Sequence, residues 1–165
     1  MEVDVSKGII RIYYGKGHGK STAALGTALR EAGNGKEAVV ISFLREKNED
    51  SEELLKRLEP ELKFFRFEKT TSSFDDLTRA EKEKEIMNLK SGYHYSKKVI
   101  TTDGCDIVVL DEVLELINQK IITEDEFLEL VASVPDDMVV ICTGRQVSER
   151  IRSCADELYQ IVSEK

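Results

Sequence analysis

The sequence predicts an α/β fold in which a parallel sheet is covered by helices on both faces. Three observations carry that expectation. The apolar runs are short and rich in valine and isoleucine, they alternate with helical patterns, and the first leads through a glycine-rich turn into an alanine-rich helix. Strands buried on both faces read as continuous apolar runs, and parallel neighbours need a crossover, usually a helix, between them. At 165 residues, the chain is expected to form one domain over residues 1–165.

The first strand is expected at Ile9–Tyr14. A helix from about Lys20 to Glu31 follows, closed by Gly33-Asn34-Gly35, where glycine accepts the left-handed conformation that ends helices. The second strand is expected at Ala38–Leu44, after which Asp50 and Ser51 cap a short acidic helix ending before Pro60. The third strand is Leu62–Phe67. Between Glu68 and Asp76 there is no periodicity, so this segment reads as a loop. In open α/β sheets ligands sit beyond the carboxyl ends of the strands, where this loop emerges, so it is expected to cover bound substrate. Thr78 and Glu81 form a capping box for a long helix with Ile86, Leu89, Tyr93 and Ile100 along one face. Thr123 and Glu126 repeat the device ahead of Phe127, Leu128 and Val131. The remaining strands are expected at Ile107–Leu110, Met138–Thr143 and Glu157–Val162.

The turn between the first strand and first helix carries the chemistry. Residues 14–22 read Y-G-K-G-H-G-K-S-T, the setting of a phosphate-binding loop. Glycines let the main chain curl so that N–H groups of Gly15, Gly17 and Gly19 point at an anion, Lys20 supplies a fixed positive charge to the phosphates, and the Ser21 hydroxyl supplies a metal ligand. The usual pattern places a glycine where this chain has Tyr14, with Gly15 one step late; the alternative is a plain glycine-rich turn with an exposed lysine. Lys16 and His18 either touch a phosphate or stay solvated, and Thr22 either bonds a phosphate or caps the helix. A nucleotide polyphosphate, ATP with Mg²⁺, is the ligand expected.

The run Asp106-Ile107-Val108-Val109-Leu110-Asp111-Glu112 describes a buried strand delivering acids to the ligand edge, or else an ordinary strand end. Mg²⁺ prefers oxygen ligands and keeps several waters, so a carboxylate, the Ser21 hydroxyl and phosphate oxygens suffice to hold it. Thr143-Gly144-Arg145 ends the last strong strand, where Arg145 either faces a triphosphate or pairs with a carboxylate. Arg30 either reaches nucleotide or is a surface cation at the favourable end of its helix. His94 reads as a core or surface residue of the long helix. No serine, histidine and aspartate constellation suggests a hydrolase, and two histidines do not build a zinc site.

Composition narrows the class. Hydrophobic residues make up 41% and charged residues 34%, enough to build a core and keep it solvated, while 24 basic against 32 acidic residues give a net charge of -8. That balance disfavours a nucleic acid partner. No apolar stretch approaches the ~20 residues that span a bilayer, and Met1-Glu2-Val3-Asp4 is not the start of a signal peptide, so a cytoplasmic protein without a membrane partner is expected. Cys105, Cys142 and Cys154 read as reduced thiols without a metal role.

Taken together, the late-glycine loop, the D-I-V-V-L-D-E strand, the V-I-C-T-G-R strand end and the following A-D-E-L are similar to the ATP-dependent corrinoid adenosyltransferases of the cob(I)alamin type, whose loop has the form G-N-G-K-G-K-T-T-A-A. The resemblance runs along most of the chain. It implies a RecA-like P-loop fold, a homodimer, a flavoprotein as reductant, and transfer of the 5′-deoxyadenosyl group of ATP to the Co(I) centre of cobalamin or a precursor, with triphosphate leaving. It further implies phosphate binding by Gly15 through Thr22, magnesium at Ser21 and Glu112 with Asp111 orienting its waters, nucleotide contacts from Arg30 and Arg145, and catalysis through Lys20, Glu112 and Arg145.

The chain departs from that pattern at several places. Lys16 stands where the family has asparagine and His18 where it has lysine. The longer amino-terminal arm and the glycine-rich tail of some members are not expected here. The G-F-T-W motif ahead of the long helix is missing, with Phe67, Phe74 and the loop between them as nearest stand-ins. Two other readings therefore stand beside the first: a small-molecule kinase or hydrolytic ATPase of the same fold class, and a non-catalytic protein that senses ATP or corrinoid.

Overall fold

In the computed structural model, residues 8–44, 52–70, 72–102 and 104–165 are described. The expected caps Asp50 and Ser51 and the opening Met1–Asp4 lie outside them. Six strands, β1 (Ile9–Tyr14), β2 (Ala38–Ser42), β3 (Leu62–Arg66), β4 (Ile107–Asp111), β5 (Val139–Gly144) and β6 (Glu157–Gln160), form one sheet in the order β3-β2-β4-β5-β1-β6. Every pairing is parallel.

Alternation along the strands builds two cores, one on each face. Ala38, Val40, Ile107, Val109 and Ile141 meet α1 (Lys20–Gly33) and α2 (Glu52–Lys56) through Ala24, Ala28 and Leu55. Alanines one turn apart let α1 lie close on the sheet. Ile10, Ile12, Val39, Ile41, Val108, Leu110, Val140 and Cys142 face the other way. They meet Leu89, Tyr93 and Ile100 of α3 (Arg79–Thr101), Val113, Leu114 and Leu116 of α4 (Val113–Asn118), Phe127 and Leu130 of α5 (Glu124–Ala132) and Ile151 of α6 (Glu149–Cys154). Cys105 and Cys142 are buried, and burial pushes the Cys142 thiol well above its ordinary value.

Most element bounds fall within one or two residues of those expected. The strand β4 runs one residue further, because Asp111 pairs in register with Ser42. The helix α1 continues to Gly33, and Gly35 takes the left-handed conformation (φ 88°) while Lys36 N–H returns to Glu31 O. Both capping boxes are present, at Thr78 with Glu81 and at Thr123 with Glu126. Two short helices were not foreshadowed by periodicity, α4 and α6, each six residues long. Among the described residues, the segment between β3 and α3 is a loop with a 3-10 turn at Phe74–Asp76.

Candidate functional site

After β1 the chain passes β5 and β4 to reach β2, and a cleft of about 610 Å³ lies over the carboxyl ends of the strands there. Its size is that of a small-molecule site. Lys16 to Thr22 form one wall, Ser72 to Asp76 with Glu68 and Leu44 another, and Glu112, Glu115, Gln119 and Arg145 the floor and far side.

The loop is built by opposed requirements. Gly19 sits at φ 107°, a conformation that L side chains rarely adopt, and hands the chain into α1. Lys20 is buried to 8% exposure, and its Nζ donates to Gly17 O at 3.0 Å. At the start of α1 the N–H groups of Lys20, Ser21 and Thr22 are among those that no helical carbonyl can satisfy, and they open on the cleft together with the lysine charge.

The early glycines have a different task from the one the sequence suggested. Gly15 N–H donates to Gly144 O at 3.1 Å, and Gly17 N–H to Ile161 O at 3.3 Å. His18 N–H donates to Ser163 Oγ at 3.2 Å. Gly15 does not line the cleft, and a Cβ at Gly17 would come within 2.7 Å of Ser163 N. These two glycines are therefore required by the close passage of residues 161–163. Lys16 and His18 have exposed side chains on the cleft wall.

Opposite the loop, Asp111 Oδ1 accepts from Ser21 Oγ at 2.7 Å and from Thr143 Oγ1 at 2.8 Å. Asp111 thus ties β4 both to the first turn of α1 and to the neighbouring strand β5. Thr143 also accepts the Glu112 N–H at 2.8 Å. Glu112 itself is held in the left-handed region (φ 64°), which turns its side chain out of the strand and into the cleft. Burial, followed by the charge of Asp111, pushes its carboxyl up to about 7, against the opposing pull of Lys20 and Arg145. Asp111, not Glu112, is the acid in contact with the Ser21 hydroxyl. Ser42, beside Asp111 in the sheet and fully buried, carries a hydroxyl with no hydrogen-bond partner among the described residues.

Arg145 lines the cleft, its N–H held by Glu115 Oε1 at 2.9 Å. Arg30 is not brought there. It lies in the last turn of α1, exposed, and ten residues along a helix from Lys20 is about 15 Å, so within this chain the surface-cation reading describes it. Of the two aromatic stand-ins only Phe74 lines the cleft. Phe67 turns into the core beneath α3, 5.8 Å from the Tyr95 ring. Glu115 and Gln119 are wall residues that sequence reasoning passed over, because they lie within and at the end of a helix it did not foresee, whereas buried Glu68 begins the loop expected over the site.

Sheet order, loop and opposed acid define a P-loop nucleotide-binding protein of the RecA-like kind. Solved structures agree on the fold: the flagellar accessory protein FlaH of Methanocaldococcus jannaschii covers 93% of this chain and 70% of its own at a TM-score of 0.57 and 16% identity. A KaiC-like protein of Pyrococcus horikoshii covers 96% and 74%, also at 0.57, with 15% identity. The profile of the ATP:corrinoid adenosyltransferase BtuR/CobO/CobP family matches residues 6–165, and the chain belongs to that family. The corrinoid adenosyltransferases of Escherichia coli and Salmonella typhimurium are each 29% identical to it over 94% of this chain and 76% of theirs.

Proposed function

We propose that the chain transfers the 5′-deoxyadenosyl group of ATP to the Co(I) centre of a reduced corrinoid, releasing triphosphate. Family membership over residues 6–165 is the observation that carries this reading. The cleft supports its nucleotide half. In this reaction the substrate cobalt is itself the nucleophile: its electron pair forms the Co–C5′ bond while the C5′–O bond breaks and its pair leaves on the triphosphate. The protein therefore has to orient C5′ and stabilise a departing polyanion. Lys20, the amides opening α1 and Arg145 surround the place where that charge would collect.

The residues present fit a magnesium ion. Ser21 and Asp111 offer hard oxygen donors 2.7 Å apart, and Ser21 shares the cleft with the Glu112 carboxyl. Among the described residues no cluster of three or more His, Cys, Asp or Glu forms a complete protein cage, which suits an ion that takes much of its coordination from phosphate and water. When bound, magnesium would offset charge on the phosphate oxygens. Asp111, itself held by Thr143, keeps the Ser21 hydroxyl in place for it. On the opposite wall Phe74 offers an apolar face to the corrinoid, its ring 5.7 Å from Lys82 Nζ.

A homodimer, a flavoprotein reductant and a cytoplasmic setting with ATP at hand complete the reading. No helix among the described residues is long and apolar enough to cross a membrane. The test is anaerobic incubation with Mg·ATP and chemically reduced cobalamin. A light-sensitive adenosylated product with one inorganic triphosphate per turnover is expected. ADP or inorganic phosphate instead would point to the kinase or ATPase reading, and binding without product to the sensing one.

A further inference from the structure

The structure assigns residues Ile161 to Ser163 to the nucleotide site as positioning residues: they fix the Gly17-His18 stretch of the loop so that triphosphate is received by the first turn of α1. Ile161 N–H donates to Tyr14 O at 2.8 Å, continuing the β1 to β6 ladder one step past the end of β6. The next two contacts leave the ladder and run to the loop, from Gly17 N–H to Ile161 O and from His18 N–H to Ser163 Oγ. Residues 161–163 do not line the cleft, so they bear on the loop from its outer side. The two amides they engage are thereby committed to shaping the loop. With Gly17 so held, its carbonyl receives Lys20 Nζ, which stations the ammonium group beside the unsatisfied N–H groups of Lys20, Ser21 and Thr22. Preorganisation of this kind raises affinity because the loop is already ordered when the anion arrives.

This inference rests on the nucleotide half of the function proposed above, and it concerns binding, so it is tested without turnover. Calorimetry with Mg·ATP compares the whole chain with Ser163→Ala, Ser163→Thr and a chain ending at Gln160. Ser163 is exposed, so the point variants should unfold at the same temperature as the parent without nucleotide. Losing one hydrogen bond is expected to weaken Mg·ATP binding about 3- to 10-fold in Ser163→Ala, with Ser163→Thr restoring it. The shortened chain should lose more. Unchanged affinity in Ser163→Ala overturns the assignment. Tighter binding by the shortened chain overturns it in the opposite sense, showing that residues 161–163 compete with phosphate for the two amides. A parent chain that ignores Mg·ATP defeats the functional reading itself, a result separate from any ratio among variants.

Discussion

Lys20 and Glu112 carry the predictions that a single side chain can decide. Lys20 is buried, and its nearest partner is a carbonyl that it can share with an anion. Lys20→Ala is expected to lower adenosyl transfer by about 100-fold or more, the scale on which single charge-stabilising donors act. Steady-state kinetics beside circular dichroism would separate that from misfolding. Glu112 holds its proton to about 7 in the nucleotide-free chain, against an ordinary value of 4.5. The folded state thus binds a proton that the unfolded chain has released, so stability falls as pH rises from about 4.5 to 7. Glu112→Gln should flatten that slope: urea midpoints at pH 5 and pH 8 would converge, and parallel profiles for parent and variant would refute it. Ser42 buries a hydroxyl without a partner. Ser42→Ala should therefore stabilise the nucleotide-free chain by as much as about 1–3 kcal/mol, read as a raised urea midpoint, and a lowered midpoint would show the hydroxyl to be in use.

At the scale of elements, the contact between α3 and the ends of β2 and β3 sets the wall of the cleft. A Cβ on Gly92 would lie 2.7 Å from Phe67 Cγ and 3.0 Å from Phe43 Cε1. Alanine is the better helix former, yet Gly92→Ala is expected to cost about 1–3 kcal/mol through overpacking, read as a fall in the urea midpoint. Because Phe67 leads into the loop carrying Phe74, the same change should weaken corrinoid binding more than nucleotide binding. The elements around this wall were legible to different degrees, for physical reasons. The strands, α1, α3 and α5 announced themselves because each repeats its period over enough residues or carries a capping box. The helix α4 did not, since it opens from a left-handed Glu112 with no side-chain cap. The helix α6 has only the Ser148 cap, without a glutamate in the partner position. In the site, residues 16–22 were legible as a cleft wall because they are contiguous. The bond from Ser21 to Asp111 spans 90 positions and the one from His18 to Ser163 spans 145. Such pairings depend on strand order, which no local pattern encodes. Arg30 lies outside the cleft for the related reason that its helix carries it away from the loop.

For the whole molecule, the site joins parts that are distant in sequence, so its ligand should stabilise the domain as a unit. At a concentration 100 times its dissociation constant, Mg·ATP is expected to add about 2.7 kcal/mol, a rise of roughly 5–11 °C in the unfolding midpoint for a chain of this size. Scanning calorimetry with and without nucleotide would show it, and a shift confined to ATP without Mg²⁺ would exclude the metal from the site. The sheet order has one more consequence. Among the described residues the strand bearing the loop, β1, is hydrogen-bonded only to β5 and β6, which follow the other four strands in chain order. The phosphate loop therefore rests on a strand that gains its neighbours only when residues 139–160 have folded against it, so nucleotide affinity reports on the joining of the two ends of the fold.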